Sequence, residues 1–139
     1  MIRPARLCDM AEILALLRKL HGLQPRPLPF DASHCAKAVA TAILAPDWLA
    51  LVVETEGVTG LLIASVGVTT ISPARVAHEH AWIAPRGWGA KLAEAYEVWA
   101  KQEGCTAMSL ACHPADARLI ETLEGRGFGP AEMTLVKVL

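Results

Sequence analysis

Ile83-Ala84-Pro85-Arg86-Gly87-Trp88-Gly89-Ala90-Lys91-Leu92 is the stretch that organises the chain. It reads as a strand end, a tight Arg/Gly turn, and a helix that continues through residues 93–103. Glycine lets backbone come close to a ligand, and the first turn of a helix carries free N–H groups aimed outward. Together they form a cradle for a phosphate or pyrophosphate, to which Arg86 adds a positive charge. Gly87-Trp88-Gly89 is a short motif, and a bare strand–turn–helix junction with no ligand is the competing reading.

Downstream, Trp88, Leu92, Tyr96 and Trp99 recur on one helical face, and Gly104 closes that helix. Residues 106–112 read as a compact strand covered on both sides. A helix over about residues 115–126 presents Leu119, Ile120 and Leu123, with Gly127 as its stop, and residues 133–139 read as a last strand. Upstream, residues 2–5 suggest a short first strand. Asp9 is the expected N-cap of a helix over residues 10–20, with Ile13, Leu16, Leu17 and Leu20 at helical spacing. Pro25, Pro27 and Pro29 make residues 24–30 a loop. Asp31 or Ser33 caps a second helix through residues 36–44. Extended runs over residues 48–55 and 58–70 are joined by Glu56-Gly57 as a hairpin, and a third covers residues 76–84. The order is β-α-α-β-β-β-α-β-α-β, a mixed α/β fold.

The 139 residues are expected to form one domain, 1–139, able to bury about two-thirds of the unfolded surface. A formal charge of −1 with no basic run argues against nucleic acid. The longest apolar stretch, residues 58–71, is interrupted by Gly60, Ser65, Gly67, Thr69 and Thr70, too short and polar for a bilayer span of roughly 20 apolar residues. No secretory pattern opens the chain, so a cytoplasmic location is the default expectation. Cys8, Cys35, Cys105 and Cys112 match no zinc framework and read as reduced structural thiols.

This order and several local phrases resemble the GNAT superfamily of acetyl-CoA-dependent N-acetyltransferases. Ile2-Arg3-Pro4-Ala5 with Asp9 and a Leu-rich helix is similar to the usual GNAT start. Ile83-Ala84-Pro85 before Arg86-Gly87-Trp88-Gly89 looks like its strand end and pyrophosphate loop. Leu123-Glu124-Gly125-Arg126-Gly127-Phe128 resembles its closing helix with a Gly-Phe ending. The resemblance implies a mostly antiparallel central sheet splayed at the cofactor site, between the strand ending at Ile83 and the one over residues 106–112. Backbone at Ile83 would pair with the pantetheine arm, and the N–H groups of Gly87, Trp88, Gly89, Ala90 and Lys91, with Arg86, would hold the pyrophosphate. The chain departs from the family in three ways. The loop before Gly87 is short, Leu123 stands where many members have a thiolate-protonating Tyr, and Asp116 stands where an Asn often begins the closing helix.

Transfer of an acetyl group to an amine needs a neutral nucleophile and a route for its proton, and a positioned base adds typically 10²–10⁴-fold. Strict alternation along residues 76–84 puts Glu79 with Ile83 on one side, and His78, His80 and Trp82 on the other. Glu79, on the cofactor side, is the first candidate base and His80 the second. Their structural readings are a surface ion pair for Glu79 and a solvated sheet face for the histidines. His78 and His80 lack an evident third ligand, so no metal is expected. Tyr96, by its register, is a core residue first.

The expected function is transfer of acetyl from acetyl-CoA to a primary amine of a small molecule or peptide. Residues 20–44 would build the acceptor side, with Arg26, His34 and Lys37 favouring an acidic acceptor. The competing class is a non-catalytic GNAT-fold module that binds CoA or a protein partner. The family and the 53% apolar content are compatible with a homodimer.

Overall fold

Two uninterrupted apolar runs, Leu51–Val53 and Leu61–Ala64, are almost wholly buried, as strands covered on both faces must be. They belong to β2 (Trp48–Glu54) and β3 (Val58–Gly67) of a five-stranded open sheet. The computed structural model of the chain describes residues 1–23 and 27–139, so the readings at Gln24, Pro25 and Arg26 lie outside the described residues. The sheet runs β1 (Ile2–Pro4), β2, β3, β4 (Val76–Ile83), β5 (Ala107–Ser109). Neighbours are antiparallel up to β4, and β5 joins β4 in parallel.

Helices α1 (Met10–Leu23) and α2 (Ala32–Leu44) cover one face, where Ile13, Val39 and Ala42 meet Val52, Leu61, Ile63 and Ala81. The opposite face is covered by α3 (Gly89–Gln102), which packs Leu92, Tyr96 and Ala100 on Leu51, Val53, Leu62, Ala64 and Ala77. The 3.6-residue spacing of Trp88, Leu92, Tyr96 and Trp99 is thus a packing stripe. Of the two cap candidates it is Asp31 that caps α2, its carboxylate accepting from the His34 N–H at 2.9 Å, while Ser33 lies inside the helix. Gly57, at φ +109°, turns the β2–β3 hairpin. Glu12 ties that hairpin to α1 by accepting from the Val58 N–H at 2.8 Å.

Asp9 does not cap α1. It sits in a 3-10 turn over Leu7–Asp9, accepts from the Arg6 N–H at 2.8 Å, and receives a bidentate Arg3 guanidinium at 2.8 and 3.0 Å. Arg3 also reaches Glu54 at 2.7 Å, locking β1, β2 and the entry to α1. Asp9 is buried, and the Arg3 hydrogen bonds hold its carboxyl down at about 2 from an ordinary 3.8. A depressed carboxylate stabilises the fold fully above its unfolded pKa and loses that contribution as pH falls through the folded one. Thermal midpoints are therefore expected to hold steady down to about pH 4 and drop between about pH 4 and 2. In an Asp9→Asn variant that portion of the drop should be missing; an identical acid limb in both proteins would remove Asp9 from the explanation.

Three expectations are corrected. β5 is only three residues long, and Ala107 and Ser109 are exposed, so it is covered on one side rather than two. Residues 133–139 form no strand: among the described residues no neighbour pairs with them. In β4 the pairing passes from Ile63↔Ala81 to Ala64↔Glu79, which leaves His80 as an extra residue in a bulge. One inserted residue exchanges the faces on either side of it. Ala81 and Ile83 therefore lie toward α1 and α2 with His80, while Glu79 is not on their side.

No helix of the described residues is long and apolar enough to cross a membrane.

Candidate active site

β4 and β5 pair only through Val76↔Ala107, Ala77↔Met108 and His78↔Ser109. Beyond this point β4 continues to Ile83 while the chain after Ser109 leaves the sheet, so the two strands part. The β4 edge from His80 to Ile83 thus offers main-chain groups to an extended ligand, as an added strand would use them. Glu79 stands at the fork, and its carboxylate accepts from the Ala111 N–H at 2.9 Å, bridging the two diverging segments. Beside the fork, fully buried Tyr96 donates its hydroxyl to the Ser109 carbonyl at 3.3 Å. Desolvation first, and then the Glu79 charge, keep that phenol protonated.

Past Ile83 the chain turns sharply. The Trp88 N–H donates to the Pro85 carbonyl at 3.1 Å, and Gly87 sits at φ +85°, a conformation L side chains rarely adopt. Gly60 makes room for this corner: a methyl group there would lie 2.8 Å from Val53 Cγ2 and 3.0 Å from Pro85 Cδ. The first main-chain bond of α3 is Leu92 N–H to Trp88 O, at 2.9 Å. The N–H groups of Gly89, Ala90 and Lys91 precede it and have no acceptor among the described residues. Of the five amides expected to hold an anion, Trp88 is thus already committed to the turn.

Facing the turn across a cleft of about 510 Å³ are Asp116, Arg118, Leu119 and Thr122. They come from the start of α4 (Ala117–Glu124), whose N-cap Asp116 accepts from the Leu119 N–H at 3.1 Å. Arg86 and Gly87 line the near side. Two guanidinium groups with three free helix N–H groups suit a polyphosphate. Arg118 escaped the sequence reading because only the fold brings α4 opposite the turn. Its spacing from Leu119 and Thr122, on a helix already expected to start near Asp116, was the available signal.

Around the turn, Lys91 extends over the Trp88 ring with its ammonium 4.5 Å from the centroid. The Trp82 Nε1–H is buried with no partner among the described residues, and its ring lies 3.7 Å from where a Gly89 Cβ would stand. Such an unsatisfied donor costs about 1–3 kcal/mol.

On the α1/α2 side, His80 stacks on Trp48 with centroids 4.8 Å apart, and its Nε2 lies 2.6 Å from Ser65 Oγ. Burial, and then the neighbouring His78, push the His80 imidazole below its ordinary 6.5, so it is neutral near pH 7. The two candidate bases therefore stand on opposite sides of β4. Cys105 and Cys112 are thiols raised above their ordinary range by burial, the reverse of an activated nucleophile. Leu123 is core, 5% exposed. No three His, Cys, Asp or Glu side chains among the described residues converge as metal ligands.

An open mixed sheet whose strands part, with a helix start carrying unpaired N–H groups, is an arrangement able to hold an anionic, extended ligand. Comparison with known families agrees: the model of the acetyltransferase (GNAT) family matches residues 17–128. The chain belongs to the GNAT acetyltransferase family. Among solved structures it is similar to AAC(6')-Iy in complex with the bisubstrate analogue CoA-S-monomethyl-acetylneamine (TM-score 0.75, 18% identity, covering 100% of this chain and 97% of that one). It is also similar to glucosamine-6-phosphate N-acetyltransferase from Arabidopsis thaliana (TM-score 0.71, 15% identity, 99% and 97% covered). A transcriptional regulator from Bacillus halodurans C-125 has a TM-score of 0.79 at 19% identity, with 100% and 99% covered. At these identities the likeness shows the shared fold. No match was found among curated protein sequences.

Proposed function

We propose that the protein transfers an acetyl group from acetyl-CoA to a primary amine of a small molecule or peptide. Two observations support this reading: β4 parts from β5 after His78 and Ser109, and the helix that follows β4 begins with N–H groups at Gly89, Ala90 and Lys91 that have no acceptor among the described residues. The pyrophosphate lies on those groups, with Arg86 and Arg118 neutralising its charge. The pantetheine arm runs along the β4 edge toward His80, with Ile83 contributing main-chain hydrogen bonds. The amine nitrogen then attacks the thioester carbon, the C–S bond breaks, and the amide product leaves with free CoA thiol. The amine proton goes to a base or through water, and the departing thiolate is protonated from solvent, since Leu123 has no proton to give.

Glu79 remains the first candidate base because it stands where the strands part, and His80 the second because it is neutral and opens toward α1 and α2. Holding both reactants together is worth more than either base. Glu79→Gln is expected to lower kcat on the order of 10²-fold while leaving acetyl-CoA affinity within about twofold. A wild-type rate at every pH would remove Glu79 as base and pass the role to His80. The overall reading is tested by following free thiol from acetyl-CoA with a panel of amines, aminosugars and small peptides included. Acetyl-CoA binding without turnover of any amine would favour the second reading, a non-catalytic CoA-binding module. The commitment of Glu79 to the Ala111 N–H is the observation that supports that alternative.

A further inference from the structure

The bulge in β4 gives His80 a setting that a regular strand would not. Ser65 of β3 pairs with Trp48 of β2 on one side and with His78 of β4 on the other. His80, the extra residue of the bulge, is re-aimed over that row. Its ring stacks on Trp48, with centroids 4.8 Å apart and 26° between planes, and its Nε2 lies 2.6 Å from Ser65 Oγ. Three adjacent strands thus each give one group to a single constellation. The stack fixes the plane of the ring, and the hydrogen bond fixes its rotation within that plane. One nitrogen is committed. The other, Nδ1, has no hydrogen-bond partner among the described residues, and His80 remains solvent-accessible.

A serine hydroxyl accepts a hydrogen bond as readily as it donates one, and neutral imidazole carries its proton by preference on Nε2. With Nε2–H donating to Ser65 Oγ, the lone pair of the ring stands on Nδ1. We infer that Ser65 and Trp48 are positioning residues, which hold His80 as the Nε2–H tautomer so that Nδ1 accepts a hydrogen bond from the acceptor amine. This assignment rests on the acetyl-transfer reading, in which the pantetheine arm ends near His80. An amine held through one N–H to Nδ1 keeps its own lone pair free to meet the thioester carbon, and a fixed ring spares the cost of orienting it at each turnover. The contact moves no proton, so it is compatible with Glu79 or water taking the proton when the amide bond forms.

Imidazole nitrogen NMR spectra of the full chain, without ligand and at about pH 8, read the tautomer directly. His80 should show a protonated Nε2 and an unprotonated Nδ1, and in Ser65→Ala both signals should move toward a tautomer mixture. A protonated Nδ1 in the wild type, or an unchanged spectrum in Ser65→Ala, overturns the positioning. Kinetics with the amine that the wild type turns over fastest test the contact. Ser65→Ala should lower kcat/KM for that amine about tenfold and leave the KM for acetyl-CoA within about twofold. Ser65→Thr, which keeps the hydroxyl, should restore most of the loss. An undiminished kcat/KM in Ser65→Ala, or Ala and Thr variants that are equally slow, overturns the contact with the amine. A wild type that turns over no amine fails the acetyltransferase reading itself, and the spectra still decide whether Ser65 sets the tautomer.

Discussion

Arg3→Met is expected to lower the melting temperature by several degrees, more than the loss of an exposed ion pair would. Arg3 and Asp9 are both nearly buried, with side chains 11% and 8% exposed, and Arg3 bonds Asp9 through both terminal nitrogens. Removing the guanidinium leaves a carboxylate in the interior with only the Arg6 N–H for a partner. The pair together is worth far less than the cost of breaking it, because both charges were desolvated to form it. The double variant Arg3→Met/Asp9→Leu should therefore recover much of the loss. Urea denaturation measures both; a single-variant loss below about 1 kcal/mol, the size of an exposed ion pair, would show that the site is solvated.

Gly87→Val should raise the dissociation constant for acetyl-CoA by at least about tenfold. The substitution is informative because a Cβ at Gly87 meets nothing within 4 Å, so packing is untouched and only the φ of +85° is penalised. A left-handed conformation costs an ordinary L-residue roughly 1–2 kcal/mol, and a β-branched one more. The turn would relax and displace the Trp88 N–H from Pro85 O, and with it the origin of α3. Gly89 is a weaker probe of the same idea, since a Cβ there stands in ordinary contact, 3.7 Å from the Trp82 ring. Calorimetric titration of both variants orders the two positions. Equal, undiminished affinity for Gly87→Val would mean that the turn's geometry does not matter to the ligand.

Local chemistry made much of this readable beforehand. The Pro85–Gly89 turn, the α3 stripe of Leu92 and Tyr96, and the Asp31 cap all depend on residues a few positions apart, and all stand where their spacing put them. The failures share a different cause. The bulge at His80 exists only in the pairing of β4 with β3, where Ile63 and Ala64 face partners two residues apart. No alternation within β4 could disclose it, and it separated Glu79 from Ile83 and put His80 on the Ile83 side instead. Arg118 entered the cleft because α4 packs opposite the turn, a tertiary fact. Asp9 had the right residue type for a cap, but a 3-10 turn over Leu7–Asp9 runs directly into α1, so its carboxylate reaches back to the Arg6 N–H and to the Arg3 guanidinium. Residues 133–139 read as a strand from composition alone, but a strand needs a neighbour, and none pairs with them among the described residues.

Placement of the pyrophosphate on the start of α3 is the claim on which the cofactor reading rests. Amide-resolved NMR during titration with acetyl-CoA tests it most directly. The largest shifts are expected at Gly89, Ala90 and Lys91, with smaller ones at Arg86, Arg118 and Thr122. Absence of any shift at millimolar acetyl-CoA, or shifts confined to residues away from the turn and α4, would contradict it.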